Sequence, residues 1–262
     1  NSGSYAKHTA INSKFDLDLV VPFKRNSFST IEEMFNDVFE FLKEEYKDLA
    51  YVRKQKVSIG VEFYRDNDGD IIQIDVVPGR ELSKDSYPKD YYLNININTY
   101  DGTYTQTNIH AQIDNIQGKQ DARQIIRLLK IWKYQKSKDF KSFFMELIVI
   151  KAFDNKIITG NLWDKLKTVL EYIKDEITKE NFTLKDPGNS SNDIAKTLDS
   201  FQKSALKNDF QNILDNVELN DENLKSYFKE NEKFKVIESE SKNSYRVNNS
   251  SSAIIPPSNQ FG

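Results

Sequence analysis

Cysteine is absent from the 262 residues. That excludes disulfides, thiolate nucleophiles and zinc–thiolate sites, and it fits a reducing cytoplasm. Histidine occurs only as His8 and His110, too few for a histidine-rich metal centre. No apolar run approaches the roughly 20 residues of a membrane-spanning helix, so no membrane partner is expected. No secretory signal is expected either. The chain also lacks an excess of charge of one sign. It has 37 basic against 40 acidic residues, a net charge of −3. A broad basic field for long nucleic acid is therefore absent, while a local basic pocket for one or two nucleotides remains compatible with the composition.

Apolar residues make up 38% and charged residues 29%, the profile of a globular chain with a core of its own. Asp16 and Asp18 form an acid-x-acid pair in an apolar run. Alternate strand residues share a face, so the two carboxylates lie together while Phe15, Leu17 and Leu19 turn inward. Neighbouring carboxylates repel unless a cation lies between them. Hard oxygen ligands point to Mg²⁺.

The expected elements follow hydrophobic periodicity. Residues 3–10 read as a loop or short helical turn, and 15–21 as a strand. Ser29 and Glu32 read as the capping box of a helix that carries Met34, Phe35, Val38, Phe39, Leu42 and Tyr46. Val57, Ile59, Val61 and Phe63 alternate as a strand. Arg65–Asp70 reads as a hairpin turn, not a calcium loop, because Tyr64 stands where the loop's first acid belongs. Return strands follow at Ile71–Val77 and Tyr91–Tyr100. After about residue 118 the strands are expected to stop, with helices near 119–136, 140–154, 161–180, 190–215 and 221–230. Trp132 and Trp163 read as core. Strands first and helices later imply an α+β fold. A catalytic lobe is expected over 1–118, a helical lobe over 119–238 and a flexible tail over 239–262, with a ligand cleft between the lobes.

Asp75 adds a third acid between the core-type residues Ile74 and Val76. A carboxylate there is costly unless it faces a ligand, a metal or a salt-bridge partner. With Asp16 and Asp18 it completes a set able to hold two ions. Gly3-Ser4, upstream, offers close backbone approach and a hydroxyl to a triphosphate. His8 reads as a solvated loop residue. For Tyr5 and Tyr91, stacking on a base stays open.

The order Gly3-Ser4, Asp16-x-Asp18 and a later strand Asp75 resembles the nucleotidyltransferase superfamily of the DNA polymerase beta type. ARQIIRLLKIWKYQ (Ala122–Gln135), SFFMELIVIKAF (Ser142–Phe153) and KDPGNSSNDIAK (Lys185–Lys196) resemble its 2′-5′-oligoadenylate synthetase and cyclic GMP–AMP synthase branch. The bacterial members are the CD-NTases of CBASS anti-phage defence. The resemblance implies a nucleotidyltransferase palm followed by a helical lobe, and synthesis of a cyclic di- or trinucleotide from NTPs. ATP is the expected substrate, with the second base open. Two Mg²⁺ ions, replaceable by Mn²⁺, would be held by Asp16, Asp18 and Asp75. Gly3, Ser4, Lys130 and Ser142 would bind the nucleotide. For Lys130 the alternative is a solvated lysine beside Lys133 and Lys136, and for Ser142 a helix N-cap. Asp186 and Asn189 are expected to brace the cleft or cap the next helix. Transfer to another acceptor (a linear oligoadenylate, a tRNA end, a drug or a protein) and an inactive nucleotide-binding scaffold stay open as alternatives.

Two features depart from the family pattern. Only Asn1 and Ser2 precede Gly3, where members carry a long helix, so a truncated N-terminus is expected. The zinc-binding insertion of the vertebrate enzymes is missing, which removes the reason to expect activation by long DNA. The tail SSSAIIPPSNQFG ends in Gly262. By resemblance to CBASS synthases with ubiquitin-like ends, Gly262 is a candidate conjugation point for an E1–E2-like partner, a disordered end being the alternative.

Overall fold

The computed structural model describes residues 2–12, 17–65, 71–98 and 103–229. A four-residue helix, α1 (Gly3–Ala6), leads to strand β1 (Leu17–Phe23) and helix α2 (Ile31–Glu45). Strands β2 (Ala50–Lys54), β3 (Ile59–Phe63), β4 (Gln73–Glu81), β5 (Leu93–Ile97) and β6 (Thr103–Thr107) follow. Helix α3 (Ile109–Asp114) leads into α4 (Gln120–Gln135), α5 (Ser142–Asn155) and α6 (Leu162–Glu176). A small hairpin, β7 (Lys185–Asp186) and β8 (Asn189–Asp193), precedes α7 (Ser200–Leu219) and the short α8 (Leu224–Tyr227). Among the described residues, no helix is long and apolar enough to cross a membrane.

β4 organises the sheet because it pairs along both edges. β1 runs parallel to it from Leu17↔Ile74 to Phe23↔Arg80. The other edge takes β3 first (Ile59↔Val76) and β5 afterwards (Gly79↔Ile95). Pro78, which has no N–H to offer a ladder, lies at that changeover. α2 covers one face. Its Phe35 joins Ala50, Val52, Ile59, Val61 and Val76 in one apolar core. A second core is built by the helices around α5, whose Phe144, Met145, Ile148 and Val149 are fully buried. A helix apolar on all sides must be enclosed, and α5 is. Trp132 packs in this core against Phe210, with ring centroids 5.0 Å apart, and Trp163 lies at its margin.

Several expectations shift. The capping box of α2 is Thr30 with Glu33, one residue later than Ser29–Glu32: Glu33 N–H donates to Thr30 Oγ1 at 2.9 Å. SFSTIEE offers both spacings, and the Ser29 N–H donates to Glu33 Oε2 instead. β4 begins at Gln73 and runs to Glu81, beyond the expected Val77. Strands do not stop at residue 118, since β7 and β8 follow. Residues 190–199 are accordingly not helical throughout. The Asp186 carboxylate accepts the Gly188 N–H at 2.8 Å and closes a tight turn. A 3₁₀ turn capped by Asp193 follows, and α7 starts only after its cap Asp199. Of the turn expected over 65–70, residues 66–70 lie outside the described residues, as does the whole tail expected over 239–262.

Candidate active site

Asp18 and Asp75 are register partners on the parallel strands β1 and β4. Neighbouring strands lie about 4.8 Å apart, so these half-buried carboxylates stand side by side on one face. Asp16 lies outside the described residues. Among the described residues, no group of three or more His, Cys, Asp or Glu side chains is gathered tightly enough to hold a metal ion by itself.

The Gly-Ser turn sits directly on this acid. Ser2 N–H donates to Asp18 O at 2.8 Å. Gly3 has φ +62°, and a Cβ there would fall 1.7 Å from Asp18 Oδ2. Only glycine meets both demands. Ser4 follows, on the wall of a cleft of about 280 Å³.

The opposite wall comes from α4 and α5. Gly3, Ser4, Asp18, Lys130 and Ser142 all line this one cleft, joined by Lys7, Lys133, Tyr134, Phe143 and Glu146. Asp75 does not line it. It lies in an adjoining hollow of about 380 Å³ with Arg53, Gln55, Gly60, Glu62 and Gln73. The cleft and the hollow are thus separated along the Asp18–Asp75 row. Gly262 lies outside the described residues.

Lys130 is not a solvated helix lysine. It is 7% exposed. Its ammonium donates to Thr9 O at 2.9 Å and to Thr9 Oγ1 at 3.0 Å. Burial lowers its pKa from 10.5 to about 8; Glu146 and Asp18 pull it up, and Lys7 and Lys133 push it down. Ser142 is the first residue of α5, and the N-cap is Lys141, so the capping role does not apply. Asp186 and Asn189 act as braces. Asp186 accepts from Gln112 at 3.0 Å, and Asn189 donates to Gln106 O at 3.2 Å. Tyr91 stacks on His110 with centroids 3.8 Å apart.

Sequence reasoning missed Lys7 and Glu146. Their side chains are 7% and 3% exposed and meet at 2.7 Å inside the cleft. The signal available was Glu146 itself, a lone acid in the apolar run of α5, which demands a cation. Its partner is 139 positions away, beyond the reach of local pattern.

No protein-family model matches the chain. A probable cyclic nucleotide synthase of Bacillus cereus (strain VD146) is 28% identical over 152 residues, covering 55% of this chain and 43% of that protein. The cyclic AMP-AMP-AMP synthase of Escherichia coli (strain MS 115-1) is 26% identical over 198 residues, covering 71% and 59%. The chain therefore spans about half the length of these relatives. The solved CdnC of E. coli MS115-1, in its complex with HORMA-deltaN, superposes with a TM-score of 0.64 at 21% identity, over 83% of this chain and 74% of that one. The fold is that of the bacterial CD-NTases. Within this fold, the Gly-Ser turn, Asp18 and the α4–α5 wall line one cleft, and Asp75 lies in the hollow beyond Asp18.

Proposed function

We propose that this CD-NTase-like chain is a nucleotidyltransferase that joins NTPs into a cyclic di- or trinucleotide signal in anti-phage defence. The observation that carries this reading is the Gly3–Ser4 turn seated on Asp18, whose register partner is Asp75, facing Lys130 and Ser142 across one cleft. The carboxylate oxygens of Asp18 and Asp75 fit a hard divalent cation, Mg²⁺ or Mn²⁺, and this reading assigns Asp16 as a third ligand. Ions bound there would neutralise phosphate charge and make a hydroxyl more acidic.

The residues divide the work. Gly3 gives the triphosphate close approach, and the Ser4 and Ser142 hydroxyls offer it hydrogen bonds. The Lys130 and Lys133 ammoniums balance its charge. In the hollow, Asp75 holds the ribose hydroxyl of the acceptor. That oxygen attacks the α-phosphorus, the bond to the pyrophosphate oxygen breaks, and pyrophosphate leaves against the lysines. The hydroxyl proton passes to water. One further transfer within the linear dinucleotide, or one more addition and then an internal transfer, closes the ring, each step releasing pyrophosphate. The E. coli relative is named a cyclic AMP-AMP-AMP synthase, so ATP is the first substrate to test. A cytoplasmic site of action follows from the nucleotide supply.

Incubation with the four NTPs and Mg²⁺ or Mn²⁺, resolved by chromatography and mass spectrometry, tests the reading. A cyclic product without any other acceptor is expected. Asp75→Asn should lose it by at least about 100-fold with an unchanged circular dichroism spectrum. A folded Asp75→Asn protein with undiminished synthesis would overturn the assignment.

A further inference from the structure

The turn between β2 and β3 makes a contact that the proposed transfer does not use. Gln55 directly follows β2, and its N–H donates to Ser58 O at 2.9 Å. Asn98, just past β5, fastens this turn: its N–H donates to Lys56 O at 2.7 Å, and its Nδ2 to Gln55 O at 3.4 Å. From this fixed base, Gln55 Nε2 donates to Asp75 Oδ1 at 2.9 Å. Ser58 Oγ donates to Gln55 Oε1 at 2.9 Å. The Asp75 carboxylate only accepts, so the amide N–H₂ end faces it and the Gln55 oxygen is left to accept from the Ser58 hydroxyl.

Gly60 leaves the path open. It is the register partner of Asp75 on one side and of Arg53 on the other. A Cβ on Gly60 would lie 2.5 Å from Gln55 Nε2. Any other residue there pushes the amide off the carboxylate.

We propose that Gln55 is a positioning residue that fixes the Asp75 carboxylate beside Asp18, with Ser58 setting its amide and Gly60 giving it room. The inference rests on the reading that Asp75 serves a metal-dependent transfer. A neutral amide suits that task. Lysine or arginine would orient the acid equally well, but would cancel the charge a divalent cation needs. Hydrogen-bond partners of metal-binding carboxylates are worth about 10- to 100-fold in metal affinity or activity.

The test is Mn²⁺ binding to the whole chain, followed by electron paramagnetic resonance in the presence of a non-hydrolysable ATP analogue. This readout needs no turnover. Gln55→Leu should weaken Mn²⁺ about 10- to 100-fold with an unchanged thermal midpoint, and excess Mn²⁺ should restore product formation. Ser58→Ala frees the amide to turn and should give a smaller loss of the same kind. It carries the test if the leucine variant fails to fold. Wild-type Mn²⁺ affinity in a folded variant overturns the proposal, as does a rate loss that excess Mn²⁺ does not restore. A wild-type chain that binds no Mn²⁺ overturns it as well. Mn²⁺ binding that depends on Gln55, in a chain that forms no oligonucleotide, upholds the positioning role and sinks the synthase reading instead.

Discussion

Lys130 is a cation kept out of water. Its folded pKa of about 8 lies below the ordinary 10.5. Holding the charged form therefore opposes folding below pH 8, and the opposition fades as pH rises from 8 toward 10.5. Binding runs the other way. In the proposed role the triphosphate needs the ammonium, which is mostly present at pH 7 and lost as pH climbs through 8. Affinity for an ATP analogue, followed by fluorescence titration, should fall between pH 7.5 and 9.5, while the denaturation midpoint does not fall. Lys130→Arg should flatten the binding profile, because a guanidinium keeps its proton. Lys130→Met should cost about 1.5–3 kcal/mol of binding at pH 7, roughly 10- to 150-fold. A flat wild-type profile would count against the phosphate role. The residue was legible by resemblance, but its burial was not. Lys133 and Lys136 suggested a solvated face, yet α4 turns Lys130 onto Thr9 and leaves Lys136 exposed.

The elements meet through the buried pair Lys7–Glu146, which ties the turn after α1 to the middle of α5. Arg127 adds a second tie from α4, donating to His8 O at 2.8 Å. Removing one partner of a buried pair strands the other charge, at about 3–5 kcal/mol. Glu146→Gln should therefore lower unfolding free energy by that order in urea titrations. The double variant Lys7→Met/Glu146→Leu should recover most of it, since an apolar pair of similar volume is often neutral. A double variant as unstable as the single one would mean that the pair does more than cancel charge. Helices with an apolar stripe or an unbroken apolar run were legible: α2, α4, α5 and α6 start and end within a few residues of expectation. Two outer strands were not. β2 (AYVRK) and β6 (TYTQT) hold too few apolar residues to alternate visibly, and their pairing with β3 and β5 defines them. A sequence window cannot see that partner.

Across the whole molecule, the order of strands before helices gave the α+β class, because each group builds its own core. The β7–β8 hairpin was invisible to the same reasoning, since LKDPGNSSND has no apolar period. Its turn chemistry carried the signal, as Asp-Pro-Gly-Asn favours a tight turn. The hairpin joins parts that are distant in sequence. Asp186 Oδ1 accepts from Gln112 of α3 and from Gly188 N–H, and its Oδ2 accepts from Asn192 at 3.3 Å. Asn189 reaches Gln106 O on β6. Asp186 is buried and does not line the cleft that holds Lys130. Asp186→Ala leaves these donors without their acceptor, which should cost about 1–3 kcal/mol. Hydrogen exchange should quicken in β7, β8 and α3 together, while affinity for an ATP analogue stays at the wild-type value. Unchanged stability with weakened nucleotide binding would reverse the assignment and make Asp186 part of the binding site. Lost stability with exchange confined to the hairpin would show that α3 holds to the sheet without it.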